Sequence, residues 1–331
     1  VFIGYMWTLA PDVTLEDSCE LAVGSMYAGV PHPPGYPVWT LFTWFFTKSR
    51  PLSNIASRGG VASAVAGAFA CGLIALVVSR GSSMMIEGIA ALKEIDRRLE
   101  NAICVVSGIV AGMLMGFNGY MWSQSVIVEV YSLSVLSLML VIAYLLRWVY
   151  EPTRMRYLYW AFFFFGICLT NHMSLLVAAI GIEIAVAAAN RRLGRDLFLG
   201  NAIVYVAILF LKMRGSVTTF DANPPLFAVF NVIGIGSVIT CLILTIKTQK
   251  ILTEWKKMLM SGLMWLLGAG FYLYMPIASM SNPPMNWGYP RTAEGFVHAI
   301  KRGQYDSVRR TSSNFSSRWA CTPRALWRNS T

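Results

Sequence analysis

Two carboxylates near the start of the chain have a spacing that suggests chemistry. Asp17 and Glu20 lie three positions apart in the segment 11–34, which follows an apolar run. Thr14, three residues before Asp17, forms a start similar to a capping box, so the pattern predicts a short helix over 14–29 with both carboxylates on one stripe. Such a carboxylate could act as a general base toward an attacking hydroxyl. A helix cap at Asp17 and a solvated charge at Glu20 are the alternatives.

A turn rich in proline, residues 32–37 (HPPGYP), directly follows these carboxylates. Three prolines and a glycine favour a rigid turn that brings the chain back to the membrane. His32 could bind a phosphate or sugar oxygen, or it could serve the turn alone. The six cysteines are scattered, and no Asp-x-Asp or Cys/His cluster occurs. The sequence therefore predicts neither a metal site nor a disulfide framework.

The elements that must position these residues are membrane helices. Of the 331 residues, 56% are hydrophobic and 13% are charged, which excludes a disordered chain, a coiled coil and an ordinary cytosolic enzyme. An apolar stretch of about 20 residues crosses the hydrocarbon core as a helix. The pattern predicts an all-α polytopic membrane protein, with 1–10 as the end of a truncated first helix and further spans at 55–79, 102–120, 128–146, 157–171, 172–189, 197–213, 226–246 and 258–276.

The basic residues set the orientation of these spans. The net charge is +11, but Lys and Arg lie between apolar segments, which indicates membrane topology rather than nucleic-acid binding. Basic loops at 80–101, 147–156, 190–196 and 247–257 are predicted to be cytoplasmic. The segment 11–34 then faces the periplasm of a bacterial plasma membrane, or the lumen of the endoplasmic reticulum.

Two segments do not fit the pattern of spans. Residues 35–47 are apolar and aromatic, but 13 residues rise only about 20 Å as a helix, so we interpret 35–50 as interfacial or re-entrant, with a short tilted span as the alternative. Residues 309–331 are rich in Arg and Ser without an apolar period, and we expect a disordered or truncated tail.

Several motifs together resemble a known family. Asp17-Ser18-Cys19-Glu20, the turn 32–37, and the blocks 129–133 (EVYSL), 170–172 (TNH) and 282–288 (NPPMNWG) are similar to the protein O-mannosyltransferase-like family of the GT-C glycosyltransferase superfamily. The family pattern has Gly in place of Cys19. Other O-mannosyltransferases carry adjacent Asp-Glu in the first loop, whereas these two carboxylates are separated by two residues, so which one is catalytic stays open.

The resemblance implies a fold and a reaction. It implies a GT-C-type helix bundle over 1–308 whose first outer loop, 11–34, is catalytic. The implied reaction moves a sugar, mannose, from a polyprenyl-phosphate donor in the membrane to a hydroxyl of an acceptor protein or glycan, with inversion and without a cofactor. A membrane transporter or lipid flippase, and a non-catalytic scaffold of a glycan-assembly complex, are the alternatives.

The predicted site gathers residues from several outer segments. Asp17 and Glu20 are the candidate bases. Glu129 also suits a helix N-terminus, His172 could cap a helix, and Arg58 could bind a lipid phosphate or extend to the interface. Lys212 and Arg214 are alternative phosphate partners. The full predicted set of substrate-binding residues is His32, Arg58, Glu129, Tyr131, His172, Asn282, Asn286 and Trp287.

Overall fold

The chain folds as a bundle of helices. A computed structural model describes residues 1–14, 16–48, 54–92, 94–217, 219–221 and 223–303, so the predicted tail lies outside the described residues. The protein is 77% helical, with no β-strand in the described part. The helices are α1 (Phe2–Trp7), α2 (Ser18–Met26), α3 (Pro37–Thr47), α4 (Ile55–Gly88), α5 (Arg97–Gly116), α6 (Gly119–Ser125), α7 (Tyr131–Tyr150), α8 (Met155–Asn171), α9 (Ala178–Ala189), α10 (Arg191–Met213), α11 (Pro224–Thr248), α12 (Trp255–Ala269), α13 (Tyr274–Met280) and α14 (Ala293–Ile300).

Six helical segments in the described residues are long and apolar enough to cross a membrane: α4, α5, α7, α10, α11 and the joined segment Trp255–Met280. The predicted class, an all-α polytopic membrane protein, is confirmed. The predicted break at 171–172 is also present, because α8 ends at Asn171 and a 3₁₀ turn, Met173–Val177, precedes α9.

The predicted loop 80–101 is mostly helical. Helix α4 continues to Gly88 and α5 already begins at Arg97, so both helices extend past the predicted span ends at 79 and 102. Arg80 is exposed on the continuing helix. A charged side chain can extend from a helix end into water, so charge marks where a span leaves the membrane and not where the helix stops. The first-loop helix is likewise shorter than the predicted 14–29, since α2 covers Ser18–Met26.

Helix α3 begins and ends at the same end of the bundle. At its end, the carbonyl of Thr47 accepts a hydrogen bond (2.9 Å) from Arg58 in the first turn of α4. Asn54, which caps α4, donates to the carbonyl of Pro11 (3.2 Å). At its start, Trp39 donates to the carbonyl of Glu129 (2.9 Å). These contacts keep α3 beside the 11–34 loop and favour the non-crossing interpretation of this segment.

Helices α8 and α12 pack with their backbones in close contact. A Cβ added at Gly268 would collide with the carbonyl oxygen of Phe163, and one added at Gly166 with that of Trp265. Small residues at a helix crossing allow such an approach in membranes. Gly262, on the same α12, has open space around the position of a Cβ.

We expect Gly268→Ala to destabilise the protein by about 1–3 kcal/mol, since the added methyl forces the two helices apart. The matched control Gly262→Ala should leave the stability unchanged or raise it, because alanine is the better helix former. Thermal unfolding in detergent measures both. Equal midpoints for the two variants would show that α8 and α12 are not this close.

Candidate functional site

Asp17 is the residue that immediately precedes α2, and its side chain does not cap the helix. The carboxylate is 59% exposed, at the end of the bundle where α3 and α4 begin. The capping interpretation of Asp17 therefore fails, although the residue occupies the N-cap position. Glu20 lies one turn further along α2 and is only 19% exposed.

Glu20 fixes the position of His32. Its Oε1 accepts a hydrogen bond from the backbone N–H of His32 (2.5 Å) and also lies 3.1 Å from the ring Nδ1 of His32. The other ring nitrogen, Nε2, lies 2.9 Å from the hydroxyl of Tyr36 and 3.8 Å from Oδ2 of Asp17. The turn 32–37 thus presents an oriented imidazole between the two carboxylates.

The two carboxylates favour a protonated His32. Burial alone lowers the pKa of His32, but the hydrogen bond and charge of Glu20 and the charge of Asp17 outweigh burial and raise the pKa above its ordinary 6.5. Arg302 opposes this rise through its own charge. A protonated imidazole beside an exposed carboxylate can bind a phosphate or sugar oxygen while the carboxylate accepts a proton.

Glu129 lies beneath this cluster and is 3% exposed. Its Oε2 accepts a hydrogen bond from the N–H of Val130 (3.0 Å), and the nearby backbone N–H of Asp17 lowers the pKa of its carboxyl group. Its backbone carbonyl accepts from Trp39 and from Ser63 (3.2 Å). Glu129 therefore faces the backbone at the start of α2, whereas the sequence left both substrate contact and a place at a helix N-terminus open.

The proton on Glu129 has a predictable effect on stability. Burial, and then the charges of Glu16 and Asp17, raise the pKa of Glu129 from 4.5 to about 7. Between these values the folded protein holds a proton that the unfolded chain has lost, so its stabilising contribution is full below pH 4.5 and declines as the pH rises toward 7.

We expect Glu129→Gln to remove this dependence. Glutamine keeps the oxygen that accepts the N–H groups and cannot ionise. The wild-type unfolding temperature should fall relative to that of the variant as the pH rises from 4.5 to 7. The two proteins are compared at each pH because the other titrating groups contribute to both. A constant difference across that range would mean that Glu129 titrates at its ordinary pKa.

Tyr131 and His172 come together on the same side of the bundle. Their ring centroids lie 5.6 Å apart, and the charges of Glu129, Glu16 and Asp17 act on the Tyr131 hydroxyl. The positive charge of Arg302 lowers the pKa of both His172 and His32. The structure thus brings the predicted residues of the blocks 129–133 and 170–172 to the 11–34 loop.

Two charged residues of this region were missed by the sequence prediction. The negative charge of Glu16 raises the pKa of Glu129, and the positive charge of Arg302 lowers the pKa of His32 and His172. Glu16 could have been found, because it forms an adjacent acidic pair with Asp17. Arg302 lies beyond the last recognised block, and its position in the sequence gives no such signal.

The block 282–288 docks on the first loop through its backbone. The N–H of Val30 donates to the carbonyl of Met285 (2.8 Å), and the N–H of Trp287 donates to the carbonyl of Val30 (3.0 Å). Asn282 accepts from Arg291 (2.7 Å), and Asn286 donates to the carbonyl of Ser279 (3.4 Å). Trp287 is 42% exposed. Asn282, Asn286 and Trp287 line a pocket of about 480 Å³, and their block contacts the first loop at Val30, two residues before His32.

The three cations predicted to bind phosphate have partners in their own parts of the fold. Arg58 donates to the carbonyl of Thr47. Lys212 pairs with Asp221 at 2.8 Å, and the guanidinium of Arg214 lies 4.7 Å from the ring of Phe210. Each of the three cations thus contacts a group of the protein itself.

Asp17, Glu20 and His32 could also hold a metal ion. Each offers one ligand atom, and these atoms all lie within 4.8 Å of one another. The sequence predicted no metal because positions 17, 20 and 32 match no ligand spacing that is recognisable along the chain. Oxygen and imidazole ligands suit a divalent cation.

Comparison with known proteins identifies the family. Residues 17–193 match the family described as the Protein O-mannosyl-transferase TMEM260 N-terminal domain, which is more than half of the chain. The chain belongs to this family. The TMEM260 N-terminal match begins at Asp17 and includes Glu20, His32, Glu129 and His172, whereas Arg302 lies beyond it.

One curated relative is Protein O-mannosyl-transferase TMEM260 of Mus musculus, which is 30% identical over 140 residues. The match covers 42% of this chain and 17% of the relative, so the chain spans only a small part of that protein's length. No solved structure matches the chain significantly.

Proposed function

We propose that this chain is the membrane part of a protein O-mannosyltransferase, which moves mannose from a polyprenyl-phosphate donor to an acceptor hydroxyl. The observation that carries the proposal is the exposed carboxylate of Asp17 beside the Glu20–His32 pair, in a chain of the TMEM260 N-terminal family. The reaction would take place opposite the basic loops, on the lumenal or periplasmic side of the membrane.

In this mechanism Asp17 is the general base. Its carboxylate takes the proton of the acceptor hydroxyl while the hydroxyl oxygen attacks the anomeric carbon. The bond between that carbon and the donor phosphate breaks, the polyprenyl phosphate leaves with the electron pair, and the configuration inverts because attack comes from the opposite face. A phosphate is a good leaving group, so the reaction does not require a second carboxylic acid.

The donor phosphate lies on the side of His32 in this proposal. A phosphate in a site of low dielectric constant needs charged donors. The raised pKa of His32 favours an imidazolium there, and Arg302 adds a second positive charge near His32 and His172. Arg58 is the less suitable candidate because its guanidinium donates to Thr47.

The test is transfer by the purified full-length protein in lipid nanodiscs. With polyprenyl-phosphate mannose and a threonine-containing peptide, we expect mannose on the threonine hydroxyl with inverted configuration. Absence of transfer would contradict the proposal. Transport of the donor lipid across vesicles by the same protein, without transfer, would support the flippase alternative.

A further inference from the structure

A second pocket, of about 810 Å³, opens beside the candidate base. The end of α5, helix α6 and the start of α7 form its walls, with Leu114, Met121 and Val135 among the apolar lining residues and Glu16 and Tyr131 among the polar ones. Helix α1 contacts the end of α5, where Gly4 lies beside Phe117, and none of the residues that line the pocket belongs to α1.

One end of this pocket is acidic. Glu16 lines the pocket, and the charges of Glu16 and Asp17 both act on Glu129 and on Tyr131. No Lys or Arg occurs among the lining residues. Arg302 is not among the lining residues. The pocket next to Asp17 is therefore apolar with an acidic end.

We propose that this pocket receives the acceptor polypeptide, with an apolar side chain against Leu114 and Val135 and a basic residue near Glu16. The inference rests on the proposed function, since the acceptor hydroxyl must reach Asp17. Charge complementarity decides between the two substrates. A donor whose lipid chain filled the pocket would bring its phosphate past Glu16, and like charges repel more strongly there than in bulk water.

Photocrosslinking tests occupancy without requiring turnover. A photoreactive amino acid replaces Leu114, which is 71% exposed, or Val106, which is 57% exposed and lies about two turns away on α5. The probe is a short synthetic peptide with one threonine flanked by valine and lysine. We expect a crosslink from position 114 and not from 106, with no competition by polyprenyl phosphate. Competition by that lipid, or no crosslink from 114, would overturn the proposal.

Steady-state kinetics of pocket variants provide a second test. Leu114→Trp should narrow the pocket and raise the KM for the peptide about tenfold, with the donor KM unchanged and with Val106→Trp as the control. Glu16→Gln should raise the KM about threefold for the lysine-containing peptide only.

A raised donor KM for Leu114→Trp, with an unchanged peptide KM, would assign the pocket to the lipid chain while the proposed transfer activity stands. A wild-type protein that crosslinks the peptide at 114 but transfers no sugar would instead refute the proposed function and retain the peptide site.

Discussion

Asp17→Asn is expected to lower kcat for sugar transfer by about 10²–10⁴-fold, the usual contribution of a positioned general base. Asparagine keeps the shape of the side chain and removes its basicity and its charge. The carboxylate is 59% exposed and makes no capping hydrogen bond to α2, so the contact that the fold loses is the 3.8 Å ion pair with Nε2 of His32. Glu20 still holds His32 in place, so donor binding and the unfolding temperature should stay close to those of the wild type.

Asp12→Asn is the matched control for this variant. Asp12 is an exposed carboxylate of the same loop, and it accepts a hydrogen bond from the N–H of Val13 (2.7 Å). Its replacement should leave transfer unchanged. Full transfer by the double variant Asp17→Asn, Glu20→Gln would remove the enzymatic interpretation of this loop and favour a transporter or a scaffold.

The helical membrane class was predictable because long apolar runs have few alternatives once they enter a bilayer. The first-loop carboxylates were predictable as well, since their spacing along one short helix is local information. Helix ends were less predictable. Helix α4 continues past Arg80 to Gly88 because a helix in water and a helix in lipid use the same backbone hydrogen bonds.

The partners of charged groups could not be read from the sequence. Arg58 is closer to Asp17 along the chain than Arg302, yet its guanidinium donates to Thr47 while Arg302 acts on both histidines. Glu129 shows the same limit. Its position at the start of a helix is local, but its burial under Asp17 depends on how α4 and α7 pack around the segment before Tyr131.

Glu20 is expected to act as a positioning residue, and its two substitutions should differ. Glu20→Ala leaves the backbone N–H and ring Nδ1 of His32 without their partner. A loss of orientation of this kind costs about 10²-fold in kcat. Glu20→Gln keeps an acceptor oxygen for the N–H, so its loss of kcat should be smaller than that of Glu20→Ala and of Asp17→Asn. Reversed severity of Glu20→Gln and Asp17→Asn would exchange the roles of the two carboxylates.

The pH profile distinguishes positioning by Glu20 from a merely structural role. Glu20 raises the pKa of His32 through its hydrogen bond and its charge. If the imidazolium binds the donor, wild-type activity falls as the pH rises through that raised pKa. In Glu20→Gln the charge is gone and burial lowers the pKa of His32, so the loss of activity should begin at lower pH. Activity in Asp12→Asn should keep the wild-type profile. An alkaline limb at the same pH in Glu20→Gln and wild type would show that His32 does not act as a cation in the reaction.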